Sequence, residues 1–235
     1  MIRIVIVVDN SAEEPLKNVH GLSIFIEAND KYILFDTGPS PDILEYNADK
    51  AGIDIDLVDA VVISHTHSAH IGGLPYLGWS SPYLTTYIPY GSMETLGRRI
   101  RSEGLKPIEV TNWTRLDRDI YVSRPFNGPP WEHFLILRSP RGLVVLSGCM
   151  HPGAHRVLDE ISRYLSERIC CVIGGFHLYN AIPKAIANTV DYLSRIKPDI
   201  IVPLHCSGDV FRQMLAEKMP ESIKLLKAGQ ELIIP

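Results

Sequence analysis

Three histidines fall within six residues, at His65, His67 and His70. Neutral imidazole is the commonest protein ligand for zinc-like ions, and a His-x-His pair with a third histidine nearby can converge on one small site. The preceding run, Val58-Asp59-Ala60-Val61-Val62-Ile63, is short, β-branched and bounded by Asp and Ser, which is the pattern of a buried strand. The histidines therefore ride on the loop leaving that strand, and Gly72-Gly73 behind them lets the chain turn.

The same arrangement recurs along the chain. Asp36 closes the apolar stretch 32–35 and leads into Thr37-Gly38, while His151, His177 and His205 each follow an apolar run, at 144–150, 172–176 and 200–204. Polar groups delivered by separate strand ends to one sheet edge are how a fold builds a site on a rigid frame. His133 and His155 stand beside no such strand end and read as structural.

The elements that must carry these residues alternate. A strand at the N-terminus precedes a hairpin over 22–27 and 32–36, turned at Asn29-Asp30. A helix over 41–51 stops at Gly52, and another opens at Ser92 as N-cap and closes at Gly104. The segment 124–130 is rich in Pro and Gly and reads as an excursion rather than a boundary, with strands on both sides. Ala154, Val157, Leu158, Ile161 and Leu165 mark one helix face; Ile186, Val190, Leu193 and Ile196 mark a second, begun by Pro183. A last helix over 209–218 and a strand through 232–234 complete an α/β chain, read as one domain over 1–235.

Composition narrows the classes. Of 235 residues, 46% are hydrophobic and 21% charged, ordinary for a globular chain with a sizeable core. The net charge of −4 gives no electrostatic reason to expect nucleic acid. No apolar run approaches the roughly 18–20 residues of a membrane span, and the apolar run at 4–8 is too short for a signal segment, so a cytoplasmic protein is expected. Four cysteines at irregular spacing do not make a disulfide framework.

Phe35-Asp36-Thr37-Gly38 and the stretch His65-Thr66-His67-Ser68-Ala69-His70 resemble the first two motifs of the metallo-β-lactamase superfamily, the second usually written His-x-His-x-Asp-His. More narrowly, His20-Gly21-Leu22-Ser23, Ser147-Gly148-Cys149-Met150-His151, Gly174-Gly175-Phe176-His177-Leu178 and Pro203-Leu204-His205-Cys206 resemble its dihydropterin synthase-like branch of methanopterin biosynthesis. There the third motif usually reads Gly-Cys-Ser-His, so Met150 departs from it. The resemblance implies an αββα sandwich of two mixed β-sheets flanked by helices.

It also implies a metal centre. His65, His67 and His151 would form a three-histidine site with an open position, and His70 and His205 would serve a second ion. One or two divalent ions are expected, zinc first, with manganese or iron as alternatives. Such an ion either activates water or polarises a phosphoryl or pyrophosphate oxygen. The implied activity is that of a hydrolase or transferase acting on a phosphorylated small molecule, a pterin-type compound being the branch's example. Asp36 enters as a catalytic candidate, more naturally one that orients an imidazole. His177 is a candidate for catalysis or substrate contact, and His20 for substrate contact. Separately, Arg and backbone donors near Gly38, Gly73 and Gly208 are expected to face an anion, because glycine lets the main chain approach closely.

Ala69 stands where the superfamily places a metal-binding aspartate. It leaves three outcomes open: a one-metal enzyme, a two-metal enzyme rebuilt with His177 or Cys149, or a member that binds without turnover. Cys149 itself reads either as the stand-in for a bridging carboxylate or as a small buried apolar residue.

Overall fold

The structure, a computed structural model, describes residues 1–235. Its first sheet begins with β1 (Ile2–Val8), the hairpin pair β2 (Ser23–Ala28) and β3 (Lys31–Phe35), then β4 (Ala60–Val62), β5 (Thr85–Ile88) and β6 (Lys106–Glu109). The second sheet holds β7 (Thr114–Asp117), β8 (Ile120–Val122), β9 (Leu135–Ser139), β10 (Gly142–Ser147), β11 (Ile169–Gly174) and β12 (Ile200–Pro203). The closing strand β13 (Glu231–Ile234) returns to the first sheet, whose order is β13-β1-β2-β3-β4-β5-β6. Both sheets are mixed: β1 to β3 and β7 to β10 pair antiparallel, whereas β3 to β6 and β10 to β12 pair parallel.

Period-2 alternation explains the layering. Ile4 and Ile6 of β1 join Leu135, Leu137, Val144 and Leu146 in a core between the sheets. Val5 and Val7 point the other way, into a second core closed by Leu44, Ala48, Leu74 and Leu77 of the helices α1 (Pro41–Lys50) and, beyond the short α2 (Ser68–Ile71), α3 (Leu74–Ser80). A third core backs the second sheet with three helices, after the short α4 (Arg98–Ser102): α5 (Ala154–Leu165), α6 (Pro183–Ile196) and α7 (Asp209–Lys218). Strands buried on both faces read as continuous apolar runs, which makes them legible in the sequence. No helix is long and apolar enough to cross a membrane.

The structure departs from expectation at three places. Helix α3, which also holds Gly78, is unexpected, because Gly72-Gly73 read as a turn. These glycines serve packing: a Cβ at Gly78 would lie 1.8 Å from the Glu103 carbonyl oxygen, and one at Gly73 would lie 2.3 Å from that of Thr37. The β7–β8 hairpin, short and largely charged, carries no clear signal either. Ser92 does not cap its helix: its hydroxyl donates to the Pro89 carbonyl, and the Glu109 carboxylate takes the amides of Ser92 and Met93 instead. A π-helical turn, Met93–Gly97, then leads into α4.

Topology, finally, fixes where the chemistry goes. β3 and β4 run parallel, as do β10, β11 and β12, so their carboxyl ends open at a common edge, where ligand sites of open sheets lie.

Candidate metal centre

The first sheet delivers one side of the site. The chain leaves β3 at Asp36 with left-handed backbone, φ 58°. The Asp36 carboxylate, fully buried, accepts from the Ser64 amide at 2.7 Å, the Ser64 hydroxyl at 2.7 Å and His70 Nδ1 at 2.7 Å. With its proton committed to Asp36, the Ser64 hydroxyl accepts from His65 Nδ1 at 2.9 Å. His65 and His70 are thereby both held in the tautomer that turns an Nε2 lone pair outward. The short helix α2 bends His70 back over His65, with ring centroids 4.1 Å apart. His65 Nε2 lies 3.1 Å from His67 Nδ1.

The second sheet delivers the other side. Beyond β10, Gly148 passes so close to Ser64 that a Cβ would fall 2.0 Å from its hydroxyl oxygen, so only glycine brings Cys149 and His151 into the cluster. The buried Glu132 carboxylate then fixes this turn: it accepts from the amides of Cys149, Met150 and His151 at 2.8–2.9 Å and from His151 Nδ1 at 2.9 Å. His151 Nε2 is left buried and without a partner. At the ends of β11 and β12, His177 opens toward solvent with its ring 4.4 Å from that of His151, and His205 lies buried 4.9 Å from the His70 ring. The His205 amide donates to Asp9 at 2.7 Å and its Nδ1 to the Asn10 side-chain oxygen at 2.9 Å. Met150, His177 and His205 share the left-handed backbone of Asp36. Such strain in non-glycine residues persists where the surroundings over-determine it, and here it clusters at the site.

Burial and crowding favour the neutral form of His65, His67 and His205. Burial first, then the neighbouring rings, hold His65 well below its ordinary value and His205 down to about 2. His67 is lowered for the same reasons, whereas a hydrogen bond with Cys206 raises His177. Burial pushes Asp36 up despite its His70 and Ser64 partners. For Glu132, burial is outweighed by His151 and the backbone amides, which hold its carboxyl below the usual range.

A pocket of about 810 Å³ opens over the cluster, lined by His67, His70, His177 and His205, with His20, Asn10 and Tyr179 on its walls. The structure thus brings together His65, His67, His70, His151, His177 and His205. Asp36 does not reach the pocket: every partner of its carboxylate is Ser64 or His70, so its place is to orient, not to touch substrate. The expected anion contacts near Gly38 and Gly73 fail, because those amides are spent on the Leu22 carbonyl and the Thr37 hydroxyl. Three contributors escape the sequence reading. Asp9 and Asn10 directly follow β1, and the strand-end signal used elsewhere would have found them. Glu132 lies just past the excursion 124–130 and carries no pattern.

The donor set fits a metal. The imidazole nitrogens are pinned on one side by Ser64, Asp36, Glu132 and Asn10, and their lone pairs converge on the other. Two nitrogens of a tetrahedral zinc-like site stand about 3.3 Å apart, near the 3.1 Å between His65 and His67. The orphaned His151 Nε2 completes that face. The sequence model of the metallo-beta-lactamase superfamily matches residues 16–205.

The chain belongs to the metallo-beta-lactamase superfamily. It is 24% identical to 7,8-dihydropterin-6-methyl-4-(beta-D-ribofuranosyl)-aminobenzene-5'-phosphate synthase of Methanocaldococcus jannaschii, over 92% of this chain and 90% of that one. An uncharacterized protein of the same organism is 29% identical over 86% and 90%. Among solved structures of the superfamily, Tm1679, described as a metal-dependent hydrolase, superimposes with a TM-score of 0.87 at 26% identity over 100% of this chain and 99% of its own. The two mixed sheets flanked by helices are the superfamily's αββα sandwich, as the sequence motifs implied.

Proposed function

We propose that this chain is a cytoplasmic metal-dependent hydrolase or transferase acting on a phosphorylated small molecule, in a dihydropterin synthase-like reaction. The observation that carries this reading is the convergence of imidazole nitrogens at a pocket of small-molecule size, those of His65, His70, His151 and His205 each pinned behind by an acceptor. The likeness to the Methanocaldococcus jannaschii synthase, spanning nearly all of both chains, supports the substrate class.

In this reading His65, His67 and His151 hold one divalent ion and His70 and His205 a second, with zinc the first choice and manganese or iron as alternatives. Bound there, a divalent ion supplies Lewis acidity toward a phosphoryl oxygen and toward water. The protein's own groups do the rest. Asp36, through Ser64 and directly, keeps His65 and His70 turned outward; Glu132 does the same for His151 and Asn10 for His205. His177, open to the pocket beside His151, is placed to hold a proton at the departing oxygen. His20 and Tyr179 form the walls that substrate meets, and neither nucleic acid nor membrane is required.

The test is turnover of a chromogenic phosphodiester and a phosphomonoester by metal-stripped protein given zinc, manganese or iron(II). Metal-dependent hydrolysis, lost in His67→Ala, is expected. A pocket that binds the phosphorylated probe but turns over nothing with any of the three ions would contradict the reading. Ala69 favours that second reading, a binding protein that has kept the pocket and lost hydrolysis.

A further inference from the structure

Cys149 belongs to every group of metal-ligating atoms the fold assembles. It stands with His65 and His151, with His70 and His205, and with His177 and Cys206, the ligand atoms of each group lying within 4.8 Å of one another. No other residue joins more than one of these groups. The thiol is only 3% exposed, and its sulfur lies 3.4 Å from His70 Nε2. A nitrogen and a thiolate sharing one tetrahedral zinc-like ion, at about 2.05 and 2.3 Å from it, stand about 3.6 Å apart.

The main chain aims this sulfur. Glu132 clamps the Cys149 amide at 2.8 Å, and the side-chain-free Gly148 and Gly175 let the turn press into the cluster, a Cβ on Gly175 falling 3.1 Å from Cys149 Cα. Between His67 and His70 the methyl of Ala69 offers no donor. The remaining side chain that faces both histidine sets is the thiol.

We infer that Cys149 is the shared ligand of a two-ion centre, its thiolate bridging an ion on His65, His67 and His151 and an ion on His70 and His205. The inference rests on the metal-dependent reading above and extends it by naming sulfur as the bridge. On metal entry the S–H bond breaks, its proton passes to solvent, and the sulfur lone pairs form the two metal–sulfur bonds; no electron is transferred. A sulfur bridge selects thiophilic ions such as zinc and cobalt over magnesium or calcium.

Cobalt(II) titration of the metal-stripped protein tests this without reference to activity, because a thiolate on cobalt adds a near-ultraviolet charge-transfer band that nitrogen and oxygen ligands lack. Two cobalt ions per chain with that band are expected. Cys149→Ser should abolish the band and weaken the second ion by more than tenfold while keeping the first. Cys206→Ser, the neighbouring thiol, should keep both band and stoichiometry. Adding Ala69→Asp to Cys149→Ser should restore the second ion without the band, which also shows that the variant is folded. Cobalt bound without the band, a single ion only, or a band lost in Cys206→Ser and retained in Cys149→Ser would each overturn the bridge while leaving the metal-dependent reading intact. A parent protein that binds no cobalt would overturn both.

Discussion

Asp36 of the first sheet and Glu132 beside the second are both fully buried carboxylates behind imidazoles of the candidate metal centre, yet their partners differ in kind. Asp36 holds two side chains, His70 and Ser64, and a single backbone amide. Glu132 holds one side chain, His151, and three consecutive backbone amides from Cys149 to His151. The first is built to orient rings, the second to hold the path of the chain as well as a ring. The difference is visible in their acidity. His151 first, and the amide donors after it, outweigh burial for Glu132 and hold its carboxyl down, whereas burial prevails at Asp36 and pushes its carboxyl up.

The comparison predicts the largest effect for Glu132→Ala. It leaves three amides and the His151 ring without an acceptor in a closed interior, so a loss of about 3 to 5 kcal/mol in denaturant unfolding is expected. Glu132→Gln, which keeps one acceptor oxygen, should lose less. If Glu132→Ala unfolds with the parent's midpoint, the carboxylate does not hold the turn.

Asp36→Asn comes next and should act on metal more than on fold. The amide can still accept from Ser64, but it no longer fixes the His70 tautomer, so metal affinity should fall roughly 10- to 100-fold. Competition with a chromogenic chelator measures this. A parent-like affinity would mean that packing alone sets the rings.

A smaller effect separates the two carboxylates by pH, in the metal-free protein. Glu132 titrates lower folded than unfolded, so its contribution is present above its ordinary value of 4.5 and is lost as pH falls through the folded value. Asp36 titrates higher folded than its ordinary 3.8, so its contribution is present below 3.8 and is lost as pH rises through the folded value. Glu132→Gln should therefore flatten the loss of stability on acidification, and Asp36→Asn should steepen it. Slopes that shift in the same direction in both variants would break the comparison.

Legibility in the sequence divides along the same line. Asp36, His65, His151, His177 and His205 each end a buried strand, and strands buried on both faces announce themselves as unbroken apolar runs. Parallel pairing then brings those ends to one edge. The strand-end reading applied to β1 also reaches Asp9 and Asn10. Glu132 lies beyond reach because its partners, though only 17 to 19 residues ahead, meet it through a turn whose shape exists only once folded. Helix α3 is hidden for a related reason: its glycines answer to neighbours such as Glu103, not to local helix preference. The Ser92 cap fails because its hydroxyl turns back to the Pro89 carbonyl, while Glu109, a strand away, holds the amides of Ser92 and Met93.

The central claim is that the histidines meeting at the sheet edge hold a functional ion. His67 offers the most direct test, because it is exposed, lines the pocket and can be shortened without opening a core. Elemental analysis of the parent and of His67→Ala, purified side by side and checked for equal melting temperature, decides it. The account predicts at least one divalent ion per chain in the parent and loss of most of that metal in the variant. An equally folded variant with undiminished metal, or a parent that takes up none when zinc is supplied, would contradict it.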